Sequence, residues 1–323
     1  MTVASELAHA VCSGDRRALA KAITLAESTR PSERELVEQI FASIGQRAAP
    51  SFRVGVTGVP GAGKSTLIDV LGCRAIAAGS RVAVLAVDPS SRQSGGSILG
   101  DKTRMTRLSA EPNAFIRPSP TSGVLGGTAG RTQEAISLCE AAGYDLIFVE
   151  TVGVGQSEER VATMVDCVLL VLLAGAGDEV SSMKRGVLEV ADLVAFNKAD
   201  GDRVAAADAD AASLRASFSI SRGAVPPVIV LSALADTGVA QLLGDLTRFG
   251  AAARADGSLE LRRSAQRREW FDSALEEGLH ELFTQRPDLA LARAAAADSV
   301  AKGSVSASEA ARRLLAQLVP ARS

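Results

Sequence analysis

The sequence is short of the residues that build metal sites and disulfides, with four cysteines and two histidines in 323 positions. Cys12, Cys73, Cys139 and Cys167 lie far apart, with no C-x-x-C pair. They read as reduced core residues of a cytoplasmic chain. His9 and His280 add too little to complete a structural zinc site. Net charge is lacking as well: 35 Lys and Arg against 37 Asp and Glu leave −2. Such balance argues against a protein that coats nucleic acid or an anionic membrane. No apolar run approaches the roughly 18–20 residues of a membrane span, and the longest, Cys167 to Ala174, is strand-sized. The first twenty residues lack the order of a secretory signal, and Glu6 and Asp15 speak against a transit peptide. What is present, 47% hydrophobic and 22% charged, is an ordinary globular composition.

Three regions follow from the patterning. Residues 1–50 read as a helical extension: Asp15 can cap a helix carrying Leu19, Ile23 and Ala26 on one face. Ser32 with Glu35 has capping-box spacing ahead of Leu36, Ile40 and Ile44. From 51 to 250, short apolar or β-branched runs alternate with helical stretches. Strands are expected at 52–57, 81–87, 114–117, 146–149, 167–173, 193–196 and 228–231. Helices are expected near 64–78, 131–142, 158–165, 202–217 and 236–248. This alternation predicts an α/β fold, a mostly parallel sheet covered by helices on both faces. Two long Ser/Gly-rich connections, 88–101 and 118–130, read as functional loops. Residues 251–323 read as helical, with Ser306 and Glu309 forming a second capping box.

The strongest chemical signal is Gly58-Val-Pro-Gly61-Ala62-Gly63-Lys64-Ser65-Thr66, directly after a predicted strand. It is a complete G-x-x-x-x-G-K-[ST] phosphate loop in strand–loop–helix context. Its glycines let backbone N–H groups converge on phosphate oxygens, and the helix end adds a positive dipole. Lys64 is expected on the β/γ-phosphates and Ser65 on Mg²⁺. Asn197-Lys198-Ala199-Asp200, after another strand, resembles the N-K-x-D guanine motif. A carboxylate at Asp200 accepts from guanine N1–H and the 2-amino group, donors that adenine lacks there. Ser232-Ala233-Leu234 resembles the last guanine-contacting loop. Together these select GTP over ATP.

Asp88, Asp101 and Glu150 end strands or follow the glycine-rich loop, and oxygen donors there suit Mg²⁺. Glu150-Thr-Val-Gly153 resembles the D-x-x-G switch, whose glycine N–H senses the γ-phosphate. Lys64, Glu150 and Gly153 are thus the catalytic candidates. The next position, often a water-orienting glutamine, is Val154. An aliphatic side chain cannot orient water by hydrogen bonding, so hydrolysis by the chain alone is expected to be slow.

Longer blocks narrow the reading. The segments 87–91, 95–105, 116–120, 150–157 and 175–179 resemble the MeaB family, also called ArgK or MMAA. These are GTPase chaperones of adenosylcobalamin-dependent acyl-CoA mutases. The resemblance implies a P-loop GTPase that gates cofactor loading into a mutase and protects it. Methylmalonyl-CoA mutase is the default client, with isobutyryl- or 2-hydroxyisobutyryl-CoA mutase as alternatives. It also implies a further switch over Gly175 to Arg185, containing Asp178, Glu179 and Lys184. Cobalamin is then held by the mutase, so this chain needs no cobalamin-ligating histidine.

Other readings remain open. A nickel-insertion GTPase needs Cys/His clusters that the sequence lacks. A kinase passing the γ-phosphoryl group to an acceptor is the main alternative, and a GTP-locked scaffold is a third. The stripe Leu261, Ala265, Phe271, Leu275, Leu279 and Phe283, widened by Trp270, suggests a homodimerisation arm. Arg262, Arg263, Arg267 and Arg268 read as a solvated face beside that seam. Every nucleotide motif ends by Leu234, so a chain cut at Gly250 is expected to keep GTP binding.

Overall fold

The computed structural model describes residues 2–28, 30–45, 51–87, 105–118, 128–151, 161–173, 175, 185–221 and 225–317. It divides into two compact units, Met1–Gln266 and Arg267–Ser323.

Among the described residues the first unit is built on a parallel sheet of seven strands. In chain order these are β1 (Phe52–Gly58), β2 (Val82–Val87), β3 (Ala114–Arg117), β4 (Leu146–Thr151), β5 (Cys167–Leu173), β6 (Leu193–Asn197) and β7 (Val228–Val230). Their spatial order is β3-β2-β4-β1-β5-β6-β7, and every ladder is parallel. Each expected strand is present, and β1, β4 and β6 run one or two residues further than patterning suggested. The order reverses direction at β1, the topological switch point where open α/β sheets place ligands.

The unbroken apolar strands are explained by burial on both faces. On β4, Leu146 and Phe148 join one core, and Ile147 and Val149 join the core on the opposite face. The first core contains α4 (Lys64–Ala77), α5 (Thr106–Ala110) and α9 (Val239–Ala255). The opposite core contains α6 (Thr128–Ala141) and all three N-terminal helices: α1 (Val3–Cys12), α2 (Arg16–Ala26) and α3 (Pro31–Ile44). A third cluster packs α7 (Arg185–Val190) and α8 (Val204–Ser221) under β5, β6 and β7. Fully buried side chains such as Leu19, Ile23 and Phe148 each contribute about 1.5–3 kcal/mol of apolar burial.

Asp15 caps α2 as expected, accepting from the Arg17 and Ala18 amides at 2.7 and 2.9 Å. The start of α3 differs from expectation. Its N-cap is Arg30, with no side-chain cap and Pro31 in the first turn. Proline presets the helical φ and has no N–H to satisfy, so the helix starts ahead of the Ser32–Glu35 pair. Two ion pairs fasten this bundle: Arg34 to Glu134 of α6 at 2.7 Å, and Arg117 of β3 to Glu27.

The amino ends of the strands carry a buried charged network. Arg53 of β1 forks onto Glu140 of α6 at 2.8 and 2.9 Å. Helix α10 (Ser258–Gln285) begins in this unit. Its Arg263 forks onto Asp166 at 2.8 and 2.6 Å, and its Arg262 onto Asp192 at 2.8 and 2.9 Å. Both arginines were expected on a solvated face. Instead the carboxylates just before β5 and β6 hold them, because Asp166 is fully enclosed and requires a cation. Arg254 of α9 donates to the Ser51 carbonyl at 2.9 Å, and Gln266 to the Val165 carbonyl at 2.8 Å.

The second unit holds the rest of α10, with α11 (Pro287–Ala301) and α12 (Ala307–Ala316) packed together. Ser306 caps α12, accepting from the Glu309 amide, as its spacing predicts. Along the apolar stripe Phe283 is buried, whereas Leu261, Phe271, Leu275 and Leu279 are exposed.

Candidate functional site

β1 delivers the chain to the phosphate loop at Gly58, whose φ is +140°. A Cβ there would stand 1.9 Å from the Val171 carbonyl oxygen of β5, so no other residue fits. The loop ends at Gly63, φ +86°, which is the N-cap of α4 and brings no capping side chain. The first-turn amides of α4 therefore face outward as an anion site. A Cβ on Gly63 would stand 2.6 Å from Asn197 Nδ2 and 3.7 Å from Lys198 Cε. The guanine-type motif is thus pressed against the phosphate loop.

Lys64 is buried, and its Nζ donates to the Gly58 and Val59 carbonyls at 2.9 and 3.2 Å. The ammonium is held over the loop itself. Ser65 Oγ donates to Glu150 Oε1 at 2.6 Å. Glu150 reaches Ser65 because β4 pairs directly with β1, Val56 opposite Glu150. One residue on, Thr151 Oγ1 donates to Thr57 Oγ1 at 3.1 Å and ties the strand ends together. A serine hydroxyl and a buried carboxylate, both hard oxygen donors beside a phosphate loop, fit Mg²⁺.

The base-recognition residues converge at the ends of β6 and β7. Asn197 is buried and bonds in two directions. Its Nδ2 donates to the Ala62 carbonyl at 2.8 Å, and its Oδ1 accepts from the Ala233 amide at 3.0 Å. Lys198 adopts the left-handed region, φ 61°, which turns the chain so that Asp200 returns toward Ser232. Ser232 Oγ donates to Asp200 Oδ2 at 2.7 Å and accepts from the Ala235 amide at 3.1 Å. Leu234, at the tip, is 86% exposed.

The site thus gathers Gly58, Gly61, Ala62, Gly63, Lys64, Ser65, Thr66 and Glu150 at one end and Asn197, Lys198, Asp200, Ser232, Ala233 and Leu234 at the other. Asp88, Asp101, Gly153, Val154, Asp178, Glu179 and Lys184 lie outside the described residues. Sequence reasoning missed the Thr57–Thr151 tie and a bidentate pair between Arg74 of α4 and Asp236, at 2.8 and 2.6 Å. Arg74 and Asp236 are 162 positions apart, and no local pattern links them.

The family profile described as "Methylmalonyl Co-A mutase-associated GTPase MeaB" matches residues 19–288. The chain belongs to the MeaB family. It is 45% identical to the GTPase ArgK of Escherichia coli, over 84% of this chain and 83% of that protein. It is 44% identical to the mitochondrial methylmalonic aciduria type A homolog of Mus musculus, over 85% and 70%. A crystal structure described as a LAO/AO transport system kinase superposes with a TM-score of 0.74 at 34% identity, covering 98% of this chain and 97% of that one. The fold is that of a P-loop NTPase, and this MeaB-family chain is a GTPase that binds a guanine nucleotide. Among the described residues no helix is long and apolar enough to cross a membrane.

Proposed function

We propose that this MeaB-family GTPase gates adenosylcobalamin loading into an acyl-CoA mutase, with methylmalonyl-CoA mutase the first candidate, and protects that mutase. The observation that carries the reading is the junction at Asn197, which bonds the phosphate loop and the base loop at once. One side chain thereby links the part that senses phosphates to the part that selects guanine.

Lys64 and the α4 amides stabilise charge on the β/γ-phosphate oxygens. Asp200 accepts from guanine N1–H and the 2-amino group, while Ser232 holds its other face. Ser65 and Glu150, with Asp88 and Asp101, would hold Mg²⁺, directly or through water. Bound Mg²⁺ would neutralise phosphate charge. Gly153 senses the γ-phosphate. Val154 leaves the attacking water unoriented, so turnover is slow until the client mutase reshapes the site. Asp178, Glu179 and Lys184 relay nucleotide state to that client. The exposed stripe of α10 pairs with a second copy, making the C-terminal helices a dimerisation arm.

The test is GTP hydrolysis by the full chain with and without purified methylmalonyl-CoA mutase, followed with label on the γ-phosphate. Slow release of free phosphate, accelerated by the mutase, supports the reading. The similar structure described as a kinase motivates the second reading, which label on an acceptor would establish. Fast turnover indifferent to any cobalamin-dependent mutase would refute gating.

A further inference from the structure

The turn that follows β7 is held from three sides. Ser232 and Thr237 close it by exchanging backbone hydrogen bonds at 3.0 and 3.1 Å. Asn197 and Asp200 hold its first residues from the base motif. Its far side ends in Asp236, a non-glycine residue at φ +57°, a conformation with a steric cost that needs support from elsewhere. The support comes from Arg74, whose fork grips both carboxylate oxygens.

Arg74 sits in the last turn of α4, the helix whose first turn carries Lys64 and Ser65. One rigid helix therefore touches the phosphate end of the site with its amino terminus and the base turn with its carboxyl terminus. We propose that Arg74, through Asp236, is a positioning residue for base specificity. It fixes the Ala233–Ala235 segment, whose outer two amides are bonded to Asn197 and Ser232, so that the Leu234 N–H between them meets the 6-position of the purine. Guanine has an oxygen acceptor there and adenine an amino donor, so an N–H held in place favours one and opposes the other. Lysine cannot replace this function, because a single ammonium lacks the planar fork that fixes the carboxylate's orientation.

The proposal rests on the base-site reading above, and the experiment separates the two. Titration calorimetry with GTP, inosine triphosphate and ATP is run on Arg74→Ala, Asp236→Asn, the double variant and Asp200→Asn. Asparagine tolerates the left-handed conformation, so Asp236→Asn removes the ion pair without new backbone strain. Arg74→Ala and Asp236→Asn are each expected to weaken GTP about tenfold, the scale of one lost hydrogen-bonded contact. The double variant should be no worse than either single one. The GTP-to-ATP preference should fall, while the GTP-to-inosine preference, which reports on the 2-amino group at Asp200, should hold. In steady state, KM for GTP rises and kcat does not follow it. GTP affinity unchanged in both single variants overturns the proposal, as does an equal fall in the GTP-to-inosine preference. If Asp200→Asn also leaves that preference unaltered, the base-site reading fails and the role of Arg74 falls with it. If Asp200→Asn alters it and the Arg74 variant changes nothing, only the role of Arg74 is lost.

Discussion

At the carboxyl ends of the strands the links are short and mostly neutral or singly charged: Thr151 to Thr57, Ser65 to Glu150, Asn197 to two main-chain groups, Ser232 to Asp200. At the amino ends of the same strands, three arginines fork onto three carboxylates. The contrast follows from what each end must do. A site that receives a polyanionic ligand keeps the amides of a helix start turned outward to meet it. The opposite end can bury ion pairs, provided every charge finds a partner. One end is built to change partners, and the other to keep them.

The sharpest way to break this contrast is Arg263→Ala. It leaves the enclosed carboxylate of Asp166 without its cation and should cost about 3–5 kcal/mol of stability, read from urea unfolding. GTP affinity of the folded fraction should stay within about twofold, because distant sites are nearly independent. A large loss of affinity without loss of stability would erase the distinction between the ends. The same network bears on a chain cut at Gly250. Such a chain loses Arg254, Arg262 and Arg263 together, so it should unfold, whereas one ending at Gln266 keeps these three arginines and their carboxylate and carbonyl partners.

Asp200→Asn tests the opposite end. GTP binding should weaken by about 1.5–3 kcal/mol, the value of a hydrogen bond to a charged group, with xanthosine triphosphate gaining. Unfolding midpoints should barely move. Calorimetry showing unchanged base preference would remove Asp200 from the site.

A chemical probe gives a smaller effect. Burial pushes the Cys167 thiol well above the ordinary cysteine range, and it lies at the start of β5 beside Asp166. A thiol reagent should therefore reach Cys167 far more slowly than the half-buried Cys12. Arg262→Ala should speed labelling of Cys167 and leave the rate at Cys12 unchanged. Equal acceleration at both would indicate global, not local, opening.

The least expected effect is on acid stability. The Arg74 fork holds the Asp236 carboxyl below its ordinary value. Its contribution is thus present above the unfolded value near 3.8 and lost as pH falls through the lower folded one. Both groups are more than a third exposed, so screening keeps this small. The gap in melting temperature between the parent chain and Asp236→Asn should close only at strongly acidic pH.

The two ends also differ in how far they could be read from the sequence. The phosphate loop and Asn197–Asp200 are local strings whose spacing encodes their geometry. Strand positions followed from unbroken apolar runs. The arginine forks left no such trace, since Arg262 and Asp192 are 70 positions apart and Arg53 and Glu140 are 87 apart. Read locally, Arg262 and Arg263 sit among Glu260, Glu269 and other charges and look like solvated surface. Only strand order brings Asp166 and Asp192 beneath them. The Ser32–Glu35 box failed for a local reason, because Pro31 had already fixed the start of the helix.

The N-terminal helices raise a question of timing. Leu19, Ile23 and Ile40 share their core with Ile136 of α6 and Ile147 and Val149 of β4. Arg34 finds Glu134 a hundred positions later in the chain. During synthesis at about 5–20 residues per second, that apolar face waits roughly 5–20 s for its partners to leave the ribosome. For that interval α1 to α3 can bury apolar surface only against one another. The growing chain therefore carries an unfinished core at α1 to α3 long before the phosphate loop has a sheet to rest on.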